Sequence, residues 1–140
     1  MIYGPSFPDS ISLKHLGTSP ADIHALMNGS LTEVPGTVMP AFADVRDVAL
    51  AHLRAFESEQ FGRFLIASGR WSKQEVCDLF REKFPQLRDR VPIGTPGDKG
   101  PDCYLIDSSR AHSVLGIEFT KFEDTFTDMA ETFLKMEKQA

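Results

Sequence analysis

Cysteine is scarce in this chain. Cys77 and Cys103 are the only two, far apart and in no CxxC or Cys/His spacing that would build a metal site. They read as free thiols in a reducing compartment. Long apolar runs are missing, so no membrane span is expected. The opening Met1-Ile2-Tyr3-Gly4-Pro5 has neither the basic end nor the apolar stretch of a signal peptide, and the expectation is a soluble, cytoplasmic protein. Positive charge is in deficit. A formal net charge of -5 argues against a nucleic-acid or anionic-membrane surface. Two tyrosines and one tryptophan leave the aromatic role to eleven phenylalanines, which suit a core or the lining of an apolar pocket.

What is present describes one ordinary globular domain over residues 1–140. Apolar residues make up 41% and charged residues 25%, far from the disordered class. Residues 1–18 read as irregular, broken by Gly4, Pro5 and Pro8. Ser19-Pro20 starts a helix that Asn28-Gly29 stops. Thr37–Ala43 reads as a strand in which Pro40 marks either a sheet edge or a bulge. Asp44 caps a second helix, in which Val45, Val48, Ala49, His52, Leu53 and Phe56 form a stripe for the core. Phe64-Leu65-Ile66-Ala67 has the continuous apolar character of a buried strand. Ser72 and Glu75 form a capping box for a third helix that ends at Pro85. Tyr104-Leu105-Ile106 reads as another strand. Asp107-Ser108-Ser109 caps a helix stopped by Gly116, and Thr120 with Glu123 caps a last helix striped by Phe122, Phe126, Met129, Phe133 and Met136. The sum is a small α/β (α+β) domain dominated by helix, with about five helices and a short three-stranded sheet.

Gly94-Thr95-Pro96-Gly97-Asp98-Lys99-Gly100 matches GxxGxxG, a spacing found in dinucleotide loops. A phosphate loop needs a buried strand entering it and a helix leaving it with free amides. Here Pro92 weakens the entry and a strand, not a helix, follows. We read it as a mobile surface loop.

Three further stretches carry a resemblance. They are Asp44-Val45-Arg46-Asp47-Val48-Ala49-Leu50-Ala51-His52, Gly62-Arg63-Phe64-Leu65-Ile66-Ala67-Ser68-Gly69, and Ile106-Asp107-Ser108-Ser109-Arg110-Ala111 with Leu115-Gly116. In this order, after Tyr3-Gly4-Pro5, they resemble the C-terminal part of an extended short-chain dehydrogenase/reductase. The similarity is to the fungal ketone and aldehyde reductases and the dihydroflavonol reductases of the NAD-dependent epimerase/dehydratase superfamily. The family's N-terminal Rossmann domain, with its glycine loop and ribose-binding acid, has no counterpart in these residues. Its Tyr-x-x-x-Lys is also missing, since Phe7 stands four after Tyr3 and Ser108 four after Tyr104. The resemblance therefore implies a substrate side without hydride-transfer machinery, cofactor or metal.

That substrate side maps to Tyr3 through His15 and to Ile23, His24 and Met27. We take Tyr3, Lys14, His15 and His24 as the candidate proton-donating or catalytic residues. Pro5, Phe7, Leu13, Ile23, Met27 and Trp71 are the candidates for an apolar pocket. Asp44 and Arg46 read as structural. One expectation is a cofactor-independent isomerase or cyclase of secondary metabolism, for example one that holds a flexible substrate for an intramolecular [4+2] cyclisation. The other is a non-catalytic or heteromeric substrate-binding subunit, paired with a second copy or with a separate nucleotide-binding chain.

Overall fold

The computed structural model describes residues 1–6, 12–100 and 104–139. Its elements run β1 (Ile2–Tyr3), α1 (Thr18–Met27), β2 (Ala41–Asp44), α2 (Val45–Glu57), β3 (Gly69–Arg70), α3 (Lys73–Lys83), a 3-10 turn (Pro85–Leu87), α4 (Ser109–Leu115) and α5 (Phe122–Gln139). The sheet order is β1-β2-β3, with β1 parallel and β3 antiparallel to β2. Five helices and three short strands are the expected architecture.

The strands are not all where the sequence pattern places them. β1 lies in the stretch read as irregular, because Met1 and Ala43 bond across it (Ala43 N donates to Met1 O, 3.0 Å). Phe64–Ala67 forms no ladder. The chain joins the sheet one residue later, where Ser68 N donates to Phe42 O at 2.8 Å, and the paired residues are Gly69 and Arg70. Tyr104-Leu105-Ile106 is extended but forms no assigned strand, with Leu105 93% exposed. Both runs carry the composition of buried strands, yet neither is assigned to the three-stranded sheet. Pro40 does not mark a sheet edge either. It precedes the central strand, and its carbonyl accepts the Trp71 N–H at 2.9 Å.

The main core joins α1, α3 and α5 to the sheet. Phe126 is its hub, within 4.8–5.7 Å (ring centroids) of Tyr3, Phe42, Trp71 and Phe122. Ile23, Leu26 and Met27 bring the apolar face of α1 into the same cluster with no exposure. A smaller cluster holds Ala51, Leu115 and Ile117, backed by Phe64, Ile66 and Phe119.

α2 departs most from expectation. Its apolar stripe faces out: Val45 is 39%, Leu53 53% and Phe56 89% exposed. The buried residues are instead Asp47 and Ala51. His52, expected on the core stripe, is exposed, and its Nδ1 bonds Val48 O one turn back at 2.7 Å. The helix is amphipathic as read, but much of its apolar side is left exposed.

The capping residues divide in the same way. Ser72 accepts the Glu75 amide at 3.1 Å, as the capping box requires. α1 begins after Gly17 with no side-chain cap. Thr120 does not cap α5; its amide and hydroxyl both donate to Asp47 at 2.8 Å. A buried carboxylate without those donors would be unsatisfied, so Asp47 takes Thr120 from the cap.

Burial pushes the Cys77 thiol up to about 12, with Asp78 adding to it, so the sulfur is protonated and unreactive; Cys103 lies outside the described residues. Replacing Phe126 by alanine removes the hub of the aromatic cluster, and urea denaturation should show a loss of about 3–5 kcal/mol with the fold retained only at low denaturant.

Candidate functional site

A set of buried carboxylates organises the face where β2 ends. Asp44 closes β2 and caps α2, fully buried. Its carboxylate accepts from Arg46 N, Nε and Nη2 at 2.8 Å each and from Thr125 Oγ1 of α5 at 2.7 Å. Arg46 reaches on to Asp128 of α5 at 2.6 Å. Burial opposes the Asp44 charge, but the hydrogen bonds from Arg46 and Thr125 outweigh it and hold the carboxyl below the usual carboxylate range. Ser68 connects this centre to the next segment. Its hydroxyl accepts from Asp44 N at 3.2 Å and donates to Asp47 Oδ2 at 3.0 Å.

Beyond Ser68 the surface opens. A cleft of about 580 Å³ runs along Ala67–Arg70 and Leu105–Ser109, bounded by His112 and Phe119. A second hollow of about 290 Å³ lies between the first two strands and the extended runs Leu65–Ala67 and Tyr104–Ile106. The two share Ala67, Leu105 and Ile106. Ser108 fastens this wall, its hydroxyl donating to Ala67 O at 2.9 Å. His112 is held by its Nδ1, which donates to Ile117 O at 3.1 Å and lies 3.3 Å from Glu118. Together with the exposed stripe on α2, these hollows leave open, largely apolar surface on β1, the extended runs and α2. Its chemistry suits contact with another apolar surface better than enclosure of a small molecule.

The residues nominated from sequence lie elsewhere. Tyr3 and Trp71 are 3% and 2% exposed and meet edge to face at 4.8 Å inside the core. Trp71 Nε1 donates to Met39 O at 2.9 Å. Burial raises the Tyr3 phenol above its ordinary range, with Asp22 adding to it, so the hydroxyl keeps its proton. Ile23 and Met27 are fully buried in the same cluster. Leu13 packs partly against it, Pro5 is half-buried, and Lys14 and His15 are exposed. His24 lies against the Phe133 ring at 5.2 Å and 3.6 Å from Glu137. Phe7 lies outside the described residues. The core unites Tyr3, Ile23, Met27 and Trp71. Among the described residues, none of those nominated lines the two hollows. Ser68, Asp47 and Thr120 were missed; the one signal for them was an acidic pair three apart at a helix start.

The glycine loop is tied down, which corrects its reading as mobile. Thr95 N donates to Gln74 Oε1 at 2.9 Å, Gly97 N to Asp78 Oδ2 at 2.8 Å and Gly100 N to Asp98 Oδ1 at 2.8 Å. Gly94 has φ +56°, and an added Cβ would collide with Gln74. Amides spent on side-chain oxygens are not available to a phosphate. Among the described residues no three His, Cys, Asp or Glu side chains group as a metal site, and no helix is long and apolar enough to cross a membrane.

Comparison with known proteins supplies the lineage. The chain is 34% identical, over 97% of its length, to the NADPH-dependent methylglyoxal reductase GRE2 of Saccharomyces cerevisiae. It matches the crystal structure of Candida albicans Gre2 with a TM-score of 0.83 at 30% identity, covering 97% of this chain and 42% of that one. The chain belongs to the extended short-chain dehydrogenase/reductases. The yeast methylglyoxal/isovaleraldehyde reductase Gre2 complexed with NADPH matches with a TM-score of 0.80 at 32% identity, over 99% of this chain and 42% of that one. No protein-family model matches. The chain thus spans about two fifths of the length of the short-chain reductases it matches.

The carboxylate centre gives a pH test. Asp44 is depressed in the fold, so its contribution to stability is present above the unfolded value of about 3.9 and is lost as pH falls through the lower folded value. Asp44→Asn should cost about 3 kcal/mol at neutral pH, near the lower end for breaking a buried pair because Arg46 is half exposed. It should also flatten the acid limb of a stability–pH curve, measured by urea midpoints.

Proposed function

We propose that this chain supplies the substrate-side portion of an NADPH-dependent carbonyl reductase and acts only when joined to a nucleotide-binding polypeptide. The observation that carries this is the open apolar region. Val45, Leu53 and Phe56 on α2, with Ile2, Leu65 and Leu105 beside the first strand, are 39–93% exposed. Contiguous apolar surface of this kind favours a covering partner. A parallel strand at a sheet edge is also usually buried on both sides.

Two further points support the proposal. The relatives are NADPH-dependent reductases, and this chain accounts for about two fifths of their length. The amides of the glycine loop are engaged within the protein, so the described residues offer no dinucleotide loop of their own. The substrate class would be small aldehydes and ketones, as the relatives' names describe for them. Cofactor-free cyclisation draws no such support: it asks for an enclosed cavity beside residues 3–27, and the hollows open elsewhere.

The test is reconstitution. The purified chain should bind no NADPH alone. Co-expressed with the part of Saccharomyces cerevisiae Gre2 that it does not match, it should form a complex that oxidises NADPH in the presence of methylglyoxal. Micromolar NADPH affinity in the chain alone, or failure to co-purify, would sink the proposal. Phe56→Glu should abolish the complex while raising the solubility of the lone chain. Sedimentation decides whether a second copy occupies the same face instead: a tight homodimer that Phe56→Glu dissociates would replace the nucleotide-binding partner.

A further inference from the structure

The five methionines of the chain fall into two groups. Met27, Met129 and Met136 belong to the main core, with 0%, 1% and 7% exposure. Met1 and Met39 are 40% and 49% exposed. Both of the exposed ones line the same place, the hollow of about 290 Å³ between the first two strands and the extended runs.

Backbone bonds fix where these two thioethers are presented. Met39 O accepts the Trp71 Nε1–H at 2.9 Å, and the next carbonyl, Pro40 O, accepts the Trp71 amide at 2.9 Å. Trp71 is buried, so the segment carrying Met39 is anchored to the core. Met1 O accepts the Ala43 amide at 3.0 Å, and the Met1 amino group donates to Ala41 O at 3.3 Å. Among the described residues, no side chain lining the hollow is charged, and Tyr104 carries the one hydroxyl.

We propose that Met39 is an oxidative modification site, reached by peroxides only while this face is uncovered, and that its sulfoxide blocks the joining of the nucleotide-binding partner; the blocking role rests on the function proposed above. The thioether sulfur attacks one oxygen of a hydroperoxide. An S–O bond forms as the O–O bond breaks, and the sulfur gives up two electrons. The proton of the attacked oxygen passes to the leaving oxygen, which departs as water or an alcohol.

Exposure makes the reaction selective, because an oxidant cannot reach a sulfur enclosed in the core. Met1 shares the hollow and oxidises beside Met39. The product is a polar, chiral side chain where a flexible apolar one stood. Methionine suits an adaptable apolar contact, whereas a sulfoxide oxygen covered by a partner is a strong acceptor left without donors. A joined chain has Met39 covered and resists attack. Oxidation therefore acts on the unjoined chain and keeps it apart.

The experiment treats the purified chain with hydrogen peroxide at neutral pH and follows each methionine by peptide mass mapping. Met39 and Met1 should oxidise roughly tenfold faster than the three core methionines in the folded chain, and all five should react alike in urea. In the complex with the unmatched part of Saccharomyces cerevisiae Gre2, Met39 should be protected. Met39→Gln puts a polar amide in place of the sulfoxide and should lower recovery of that complex about tenfold, as for one polar group buried unpaired. Met39→Leu should join as wild type does, which separates polarity from loss of the residue. Equal rates at exposed and core methionines in the folded chain, undiminished oxidation of Met39 in the complex, or Met39→Gln joining as well as wild type would overturn the assignment. Wild type that fails to join at all overturns the partner reading and with it the blocking role; selective oxidation of Met39 in the lone chain then still identifies the modification site.

Discussion

One buried carboxylate carries much of this structure. Asp44 has no solvent exposure and must therefore be satisfied entirely by protein donors. It draws these from three places, the Arg46 amide at the start of α2, the Arg46 side chain and Thr125 on α5, while its own amide donates to Ser68 Oγ. The sheet, the second helix, the last helix and the segment after the apolar run meet at this residue. Asp47, one helical turn on, repeats the arrangement with Ser68 and Thr120. A hydrophobic core alone sets distances loosely, whereas paired carboxylates of this kind set register. The place where Phe64–Ala67 ends and the chain joins the sheet is fixed by Ser68, between the two acids.

The same constraint explains the open face. Because Asp47 is turned inward to meet Ser68 and Thr120, the stripe from Val45 to Phe56 on α2 is turned outward. The helix satisfies its acid at the expense of exposing its apolar residues. Two apolar runs, Leu65–Ala67 and Tyr104–Ile106, line the hollow beside the first strand. Membership in the extended short-chain reductases, at two fifths of their length, gives this face a ready interpretation as a docking surface. The proposed function rests on that face.

Much of the architecture was legible in the linear pattern. Helix periodicity located all five helices, Ser72 caps the third helix as read, and the stripe from Phe122 to Met136 faces the core as read. Local signals of this type act over three or four residues, and their energies do not depend on distant partners. The strands were harder. Thr37–Ala43 was found in part, but β1 and β3 have only two residues each, too few for a period to show. The candidate site fared worse. Tyr3 was chosen as a hydrogen-bond donor and Trp71 as an apolar pocket residue, and both rings lie in the core, where the phenylalanine-rich cluster buries them.

The amino-acid order by itself determined the family, the number of helices and the unsuitability of the glycine loop for a phosphate, because each depends on neighbours in the chain. Which way α2 faces, and hence which surface stays open, was decided only in three dimensions. An amphipathic helix can bury its apolar stripe or its acid, and the choice depends on donors 21 and 73 residues away. Those donors, Ser68 and Thr120, look like a loop serine and a cap threonine until the fold brings them to Asp47.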